Sequence, residues 1–190
     1  MLKGSFDFIG LNYYTTKYAS YVPLSDTIPV SYTTDSHVNV TVERNGTLIG
    51  PRAASSWLYV YPTGIRDMLV YVKNRYNNPV TYVTENGVDE FNNDTISVQE
   101  ASQDDLRIDF HRRHLLFVQQ AIREGVDVRG YFVWSLMDDF EWAEGYSVRF
   151  GLVYVDYKDD LKRYLKQSAL WFRQFLNQGC NGTTQVISSI

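Results

Sequence analysis

Cysteine is nearly absent from these 190 residues: Cys180 stands alone, which excludes an intrachain disulfide and a cysteine metal cluster. Histidine is almost as scarce, at three residues. His111 and His114 lie three apart in a stretch of helical periodicity, a spacing that suits metal ligands, but no third ligand stands nearby and they read as packing or surface residues. No apolar run approaches the roughly 18 residues of a spanning helix, so no membrane partner is expected. No long basic block occurs and net charge is −4, which disfavours nucleic acid and anionic lipid as partners. The first residues, MLKGSFDF, show no charged n-region, apolar h-region or small-residue cleavage site, so no signal peptide is read there.

What is present is globular: 44% hydrophobic and 21% charged residues, in a length that suits one domain. Asn39, Asn45, Asn93 and Asn181 each open an Asn-x-Thr sequon in a polar, turn-like context. Four in so short a chain point to a secretory route for the parent protein. That meets the missing signal peptide if Met1 is not the ancestral start.

Residues 6–14, FDFIGLNYY, read as a buried strand ending in polar and aromatic groups. Residues 15–56 are mostly irregular, with a short hairpin expected in HVNVTVERNGTLIG that turns at Asn45-Gly46. SWLYVYP (56–62) is a short extended aromatic run. From Thr63, Ile65, Met68, Leu69, Val72 and Tyr76 fall at helical spacing, and Asn77-Asn78-Pro79 ends the helix. VTYVTEN is the second strand, followed by a polar loop. A helix is expected near 104–124, with Leu106, Phe110, Leu116, Phe117 and Ile122 inward and Gly125 at its C′ position. VRGYFVWSL (128–136) is the third strand. An aromatic and acidic loop then leads to a last helix from about Asp159 to Asn177, with Leu161, Leu165, Phe172 and Leu176 as its stripe. Residues 1–178 form the expected domain, and 179–190 a frayed tail.

Strands and helices alternate three times, with connections long enough for crossovers. That predicts a parallel sheet, with working groups at the carboxyl ends of its strands. Those ends carry Asn12 and Tyr14, then Glu85 and Asn86, then Trp134 and the loop to Trp142. Carboxylates and amides suit sugar hydroxyls, and aromatic rings suit sugar C–H faces. Trp134, Glu141, Trp142, Asn12, Tyr14 and Trp57 supply both types. Glycoside hydrolysis also needs two carboxyl groups, about 5–5.5 Å apart in retaining enzymes.

Five motifs in order, F-I-G-L-N-Y-Y-T (8–15), S-W-L-Y-V-Y-P-T-G (56–64), V-T-E-N-G (83–87), W-S-L-M-D-D-F-E-W (134–142) and G-Y-S-V-R-F-G (145–151), make the chain resemble glycoside hydrolase family 1, above all the plant β-glucosidases. The resemblance implies an α/β fold, the C-terminal part of a (β/α)8 TIM barrel (about its last three βα units), incomplete as a barrel. It implies a retaining β-glucosidase acting on β-D-glucosides, in vacuole or apoplast, with no metal and no organic cofactor. Residue by residue, it implies Glu85 as nucleophile, Tyr14 as the hydroxyl that orients it, and Asn12 in the same pocket. Trp134 would be the platform under the glucosyl ring. Glu141 and Trp142 would meet the distal hydroxyls, Trp57 would flank the aglycone, and Phe150 would close part of the wall.

Two departures stand out. The family usually has D-N-F-E-W; here Asp139 follows Asp138, harmless if Asp139 reaches solvent and costly if it is buried unpaired. The family's acid/base is the glutamate of an N-E-P motif, and no N-E-P occurs in these residues. A three-stranded piece also leaves strand edges and an apolar face open. The chain alone is therefore expected to be marginal or to depend on a partner, the missing N-terminal barrel part. The other readings are a non-catalytic remnant that binds a glucoside or a partner chain, and a structural fragment with no independent role.

Overall fold

Three β-branched and aromatic runs become the central strands, and the rest of the chain is arranged to cover one face of them. The computed structural model describes residues 4–23, 29, 31–32 and 34–180. In chain order it contains β1 (Ile9–Asn12), β2 (Tyr18–Tyr21), β3 (Val38–Thr41), β4 (Glu43–Arg44), β5 (Thr47–Leu48) and α1 (Thr63–Tyr76). Next come β6 (Thr81–Asn86), β7 (Glu90–Phe91), α2 (Val98–Ala101), α3 (Asp105–Arg123) and β8 (Val128–Val133). A short 3-10 turn at Trp142–Glu144, β9 (Val148–Arg149), β10 (Val153–Asp156), β11 (Lys162–Leu165) and α4 (Gln167–Cys180) complete it. The expected tail beyond residue 180, with the Asn181 sequon, lies outside the described residues.

The main sheet has the order β1-β6-β8, all parallel, with Asn12 opposite Glu85 and Asn86 opposite Val133. Parallel neighbours need long crossovers, and α1 and α3 provide them. The sheet does not close into a barrel among the described residues. Alternation sends Leu11, Val83 and Tyr131 toward the helices, where Tyr13, Ile65, Leu69, Val118, Ala121 and Val126 complete a core. The other face stays open: Phe8 is 52% and Phe132 57% exposed. A second core of Leu58, Val60, Val88, Phe110, Val148 and Phe150 lies beneath the carboxyl ends of the strands, with Tyr14 and Trp134 packed against it.

Four expectations need correction. In α1, Met68 and Tyr76 are exposed; only Ile65, Leu69 and Val72 of the expected stripe are buried. In α3 the expected inward Leu106 and Ile122 are exposed, whereas Arg107, Phe110, His111, His114, Val118 and Ala121 are buried. Polar side chains that find partners inside can occupy a helix's buried face, and hydropathy alone does not reveal which ones do. The HVNVTVERNGTLIG stretch does turn at Asn45-Gly46, but only β4 and β5 pair across it; β3 pairs with β2 instead.

The last helix starts at Gln167, not near Asp159. Residues 153–165 form the β10–β11 hairpin instead. Asp160 and Leu161 both have positive φ (50° and 54°), and Lys162 N–H donates to Asp159 C=O at 3.0 Å. Two positive-φ residues inside a bonded turn match the twist of an antiparallel pair. Leu161 and Leu165, in that hairpin, are exposed, and so is Leu176 on α4.

Candidate active site

β6 ends in Glu85, Asn86 and Gly87, and each answers a different physical demand. Asn86 is fully buried. Its Nδ2 donates to Tyr13 C=O at 2.7 Å, its Oδ1 accepts from Tyr131 O–H at 2.5 Å, and its carbonyl accepts from Trp134 N–H at 2.9 Å. Tyr13 N–H in turn donates to Glu85 C=O at 2.9 Å. One amide thereby ties together the ends of β1, β6 and β8, and Glu85 emerges beside that clamp. A Cβ at Gly87 would run into the Trp134 carbonyl oxygen, so only glycine lets the backbone of β8 approach this closely.

Tyr14 Oη donates to Glu85 Oε2 at 2.5 Å. A short bond to a carboxylate oxygen fixes the orientation of that oxygen. The Tyr14 ring meets Trp57 and Phe150 edge-on, with centroids 5.9 and 6.0 Å away. Burial first, then Glu85, pushes the Tyr14 hydroxyl far above the usual phenol range, so it remains a donor at any physiological pH. Trp134 Nε1 donates to Glu141 Oε1 at 2.9 Å. Glu141 is 8% exposed. Burial pushes its carboxyl up to about 7; the Trp134 N–H opposes this, and the Asp139 and Asp89 carboxyls reinforce it.

The structure thus brings Glu85, Tyr14, Trp57 and Phe150 into one contact group, and Trp134 and Glu141 into another. Phe150 is buried beside Tyr14. Asn12 is exposed and accepts a 2.6 Å bond from the Thr84 hydroxyl. Trp142 is 83% exposed, at φ 45°. The Trp134–Ser135 peptide is cis. Two cavities flank the rim. One, of about 580 Å³, is lined by Asn12, Tyr14 and Tyr71 among others; the other, of about 600 Å³, by Trp134, Asp139, Phe140 and Tyr157 among others. Glu85 lines neither. Asp139 does not reach solvent freely: it is part-buried, and its Oδ1 is buried without a hydrogen-bond partner.

Sequence reasoning missed the layer beneath the rim. Asp138 is buried and accepts from Arg149 Nη1 at 2.6 Å, Lys166 Nζ at 2.9 Å, Gly151 N–H at 2.9 Å and Val155 N–H at 3.2 Å. Asp104 binds Arg107 at 2.5 Å and accepts from Ser168 N–H at 2.8 Å. Arg107 Nη2 reaches Arg149 C=O at 2.9 Å. His111 Nδ1 lies 2.8 Å from Tyr131 Oη; because the tyrosine hydrogen goes to Asn86, the histidine donates. His111 and His114 are buried packing residues. Asp104 and Arg107, three apart on one helix, were the one local signal available. Nothing adjacent in sequence distinguishes Asp138 from Asp139.

Among the described residues no group of three or more His, Cys, Asp or Glu is placed to hold a metal, and no helix is long and apolar enough to cross a membrane.

The chain as a whole has clear relatives among known proteins. The family model described as glycosyl hydrolase family 1 matches residues 1–180. Beta-glucosidase 12 of Oryza sativa is 60% identical over 176 residues, covering 93% of this chain and 34% of that protein. Beta-glucosidase 16 of Arabidopsis thaliana is 56% identical over 190 residues, covering all of this chain and 36% of that one. A rice β-glucosidase mutant, solved in a covalent complex with Glc, superposes with a TM-score of 0.84 at 46% identity, over 90% of this chain and 36% of its own. The chain spans about a third of the length of the curated relatives it matches. Its sequence and fold agree with that portion of the barrel, and the chain belongs to glycosyl hydrolase family 1.

Proposed function

We propose that this chain carries the nucleophile half of a retaining β-glucosidase site. The observation that carries the reading is the 2.5 Å Tyr14–Glu85 bond at the end of a parallel strand, next to the Trp134–Glu141 pair. Glu85 attacks the anomeric carbon of a β-D-glucoside. The bond from that carbon to the aglycone oxygen breaks, and its electron pair leaves with the oxygen. Water later releases glucose from the ester. Tyr14 orients the attacking carboxylate, Trp134 stacks under the ring, and Glu141 and Trp142 receive the distal hydroxyls. Trp57 borders the aglycone, Asn12 lines the pocket wall, and Phe150 backs Tyr14. The covalent complex with Glc of the rice relative supports this reading.

The proton for the leaving oxygen comes from outside these residues, since no N-E-P glutamate is present. General acid catalysis is worth about 10²–10⁴-fold, so good leaving groups are favoured strongly over poor ones. The open face with Phe8 and Phe132, and the edges of β1 and β8 that stay unpaired among the described residues, fit a partner chain that supplies the rest of the barrel. The exposed sequon residues Asn39, Asn45 and Asn93 are consistent with a secretory destination.

The test is incubation with a 2-fluoro-glucoside carrying a good leaving group, followed by intact mass and peptide mapping. An adduct on Glu85 is expected. A folded sample that gains no adduct overturns the catalytic reading and leaves the non-catalytic binding role, which the open sheet face favours.

A further inference from the structure

Asp139 and Glu141 stand two residues apart on the loop that leaves β8, and both carboxyl groups turn inward. Glu141 is more than nine-tenths buried, with one oxygen fixed by the Trp134 N–H. Asp139 Oδ1 is sealed from water, and no donor reaches it. A buried acceptor without a donor is costly, and two carboxylates side by side add repulsion to that cost. One proton on the pair removes both penalties, because it supplies a donor and cancels one charge.

We propose that the Glu141 carboxyl holds its proton up to the neutral range because Asp139 stands beside it, and that Asp139 is thereby the positioning residue that sets when this rim accepts hydrogen bonds from a pyranoside. The charged and titratable surroundings favour the arrangement. Asp89, in the segment after β6, adds a second negative charge facing Glu141. Across the site, Glu85 is occupied by Tyr14, whose hydroxyl also feels Glu141 and Asp139 and stays protonated. From the β10–β11 side, Tyr157 O–H donates to the Asp139 carbonyl, not to its carboxyl group, at 3.3 Å. The buried cations of this region, Arg149 and Lys166, are committed to Asp138. Arg163 lines the same cavity as Asp139 from an exposed position on β11.

The consequence for binding rests on the role given to Glu141 under the proposed function. An ionised carboxylate accepts sugar hydroxyls about twice as strongly as a neutral acid does. Glu141 gains its charge as pH rises through about 7. Binding of a neutral glucoside therefore strengthens with pH, by up to about thirtyfold from 5.5 to 8.5 if only the ionised form binds.

The experiment follows the side-chain carboxyl ¹³C resonances of Glu141 and Asp139 in the 190-residue chain from pH 4 to 9, assigned with E141Q and D139N. A Glu141 step near 7 is expected. Asp139→Asn is expected to lower the Glu141 midpoint by at least about one unit, and Asp139→Glu to preserve it. An ordinary glutamate midpoint in the parent chain, or one that D139N leaves unmoved, overturns the proposal. Titration of methyl β-glucoside against the Trp134 indole N–H signal at pH 5.5 and 8.5 then tests recognition. Tighter binding at 8.5, with D139N narrowing the gap to about fourfold or less, supports it. A midpoint that moves as expected without glucoside binding at either pH overturns the recognition half and locates the failure in the glucoside reading.

Discussion

Replacing Asp138 by Asn removes one buried charge without opening a cavity, so its cost isolates the electrostatics beneath the rim. Both carboxylate oxygens are in use: Oδ1 accepts from Lys166 and Gly151, Oδ2 from Arg149 and Val155. Whichever way the new amide is turned, its NH₂ faces two N–H donors. Breaking one partner of a buried ion pair costs about 3–5 kcal/mol. The two cations respond differently. Arg149 cannot release its proton; it keeps only Asn92, the Val155 carbonyl, and the rings of Tyr154 and Tyr157 at 4.0 and 4.5 Å. Lys166 can escape by deprotonating, because burial, above the other influences, already pulls it down to about 8. With Asp138 in place that deprotonation costs about 1.4 kcal/mol at pH 7, about 2.7 at pH 6 and almost nothing at pH 9, and without the pull of Asp138 it costs less. Urea unfolding of both chains, followed by circular dichroism, should therefore give a loss of about 3–5 kcal/mol near neutrality, smaller by about 2–3 kcal/mol at pH 9 than at pH 6. In thermal melts the neutral-pH loss corresponds to about 6–20 °C. A loss under about 1.5 kcal/mol, or one with no pH dependence, would refute the reasoning.

Other outcomes follow from the same geometry. Lys166 is depressed in the folded state, so its burden is present below about 8 and is relieved as pH rises toward its unfolded value; Lys166→Met should flatten that rise in unfolding free energy between pH 8 and 10. His111 and His114 are held neutral by burial, His114 at about 4 and His111 well below its ordinary range. The unfolded chain binds their protons first, so stability should fall by about 1.4 kcal/mol per unit per histidine as pH drops below 6.5, and His114→Gln should lessen the slope measured in urea. Tyr14→Phe removes the donor to Glu85 and should slow 2-fluoro-glucoside labelling about tenfold or more, as read by time-resolved intact mass. Gly87→Ala drives a methyl group into the Trp134 carbonyl and should cost about 1–3 kcal/mol in urea unfolding, with loss of the Trp134 indole signal from its native position.

The central strands and the rim were legible because their signals are local. A buried parallel strand is a short apolar run with punctuation at its end, and β6 shows both in V-T-Y-V followed by Glu85, Asn86 and Gly87. α1 was legible for the same reason, with its stop at Asn77, which adopts the left-handed conformation at φ 61°. The C-terminal element was misread because Leu161 and Leu165 happen to fall at helical spacing. Leu161 sits in a turn built on two positive-φ residues, neither of which is glycine, and Leu165 ends the strand that follows. The inward face of α3 was misread because hydropathy does not count partners: Arg107 and His111 reach Arg149 and Tyr131, distant in sequence, and His114 bonds the Phe110 carbonyl of its own helix.

The sequence by itself determined the parallel α/β architecture, the strand-end placement of Glu85 and the family, because periodicity, punctuation and motif order are properties of neighbouring residues. The tertiary structure alone decided which acids are buried and with whom. Asp138 and Asp139 are adjacent and chemically identical, yet one lies between two cations and the other beside Glu141 without a donor. That difference arises from Arg149, Lys166 and the hairpin folding back beneath the rim. Charge burial is set by what surrounds a group in space, and no local pattern encodes it.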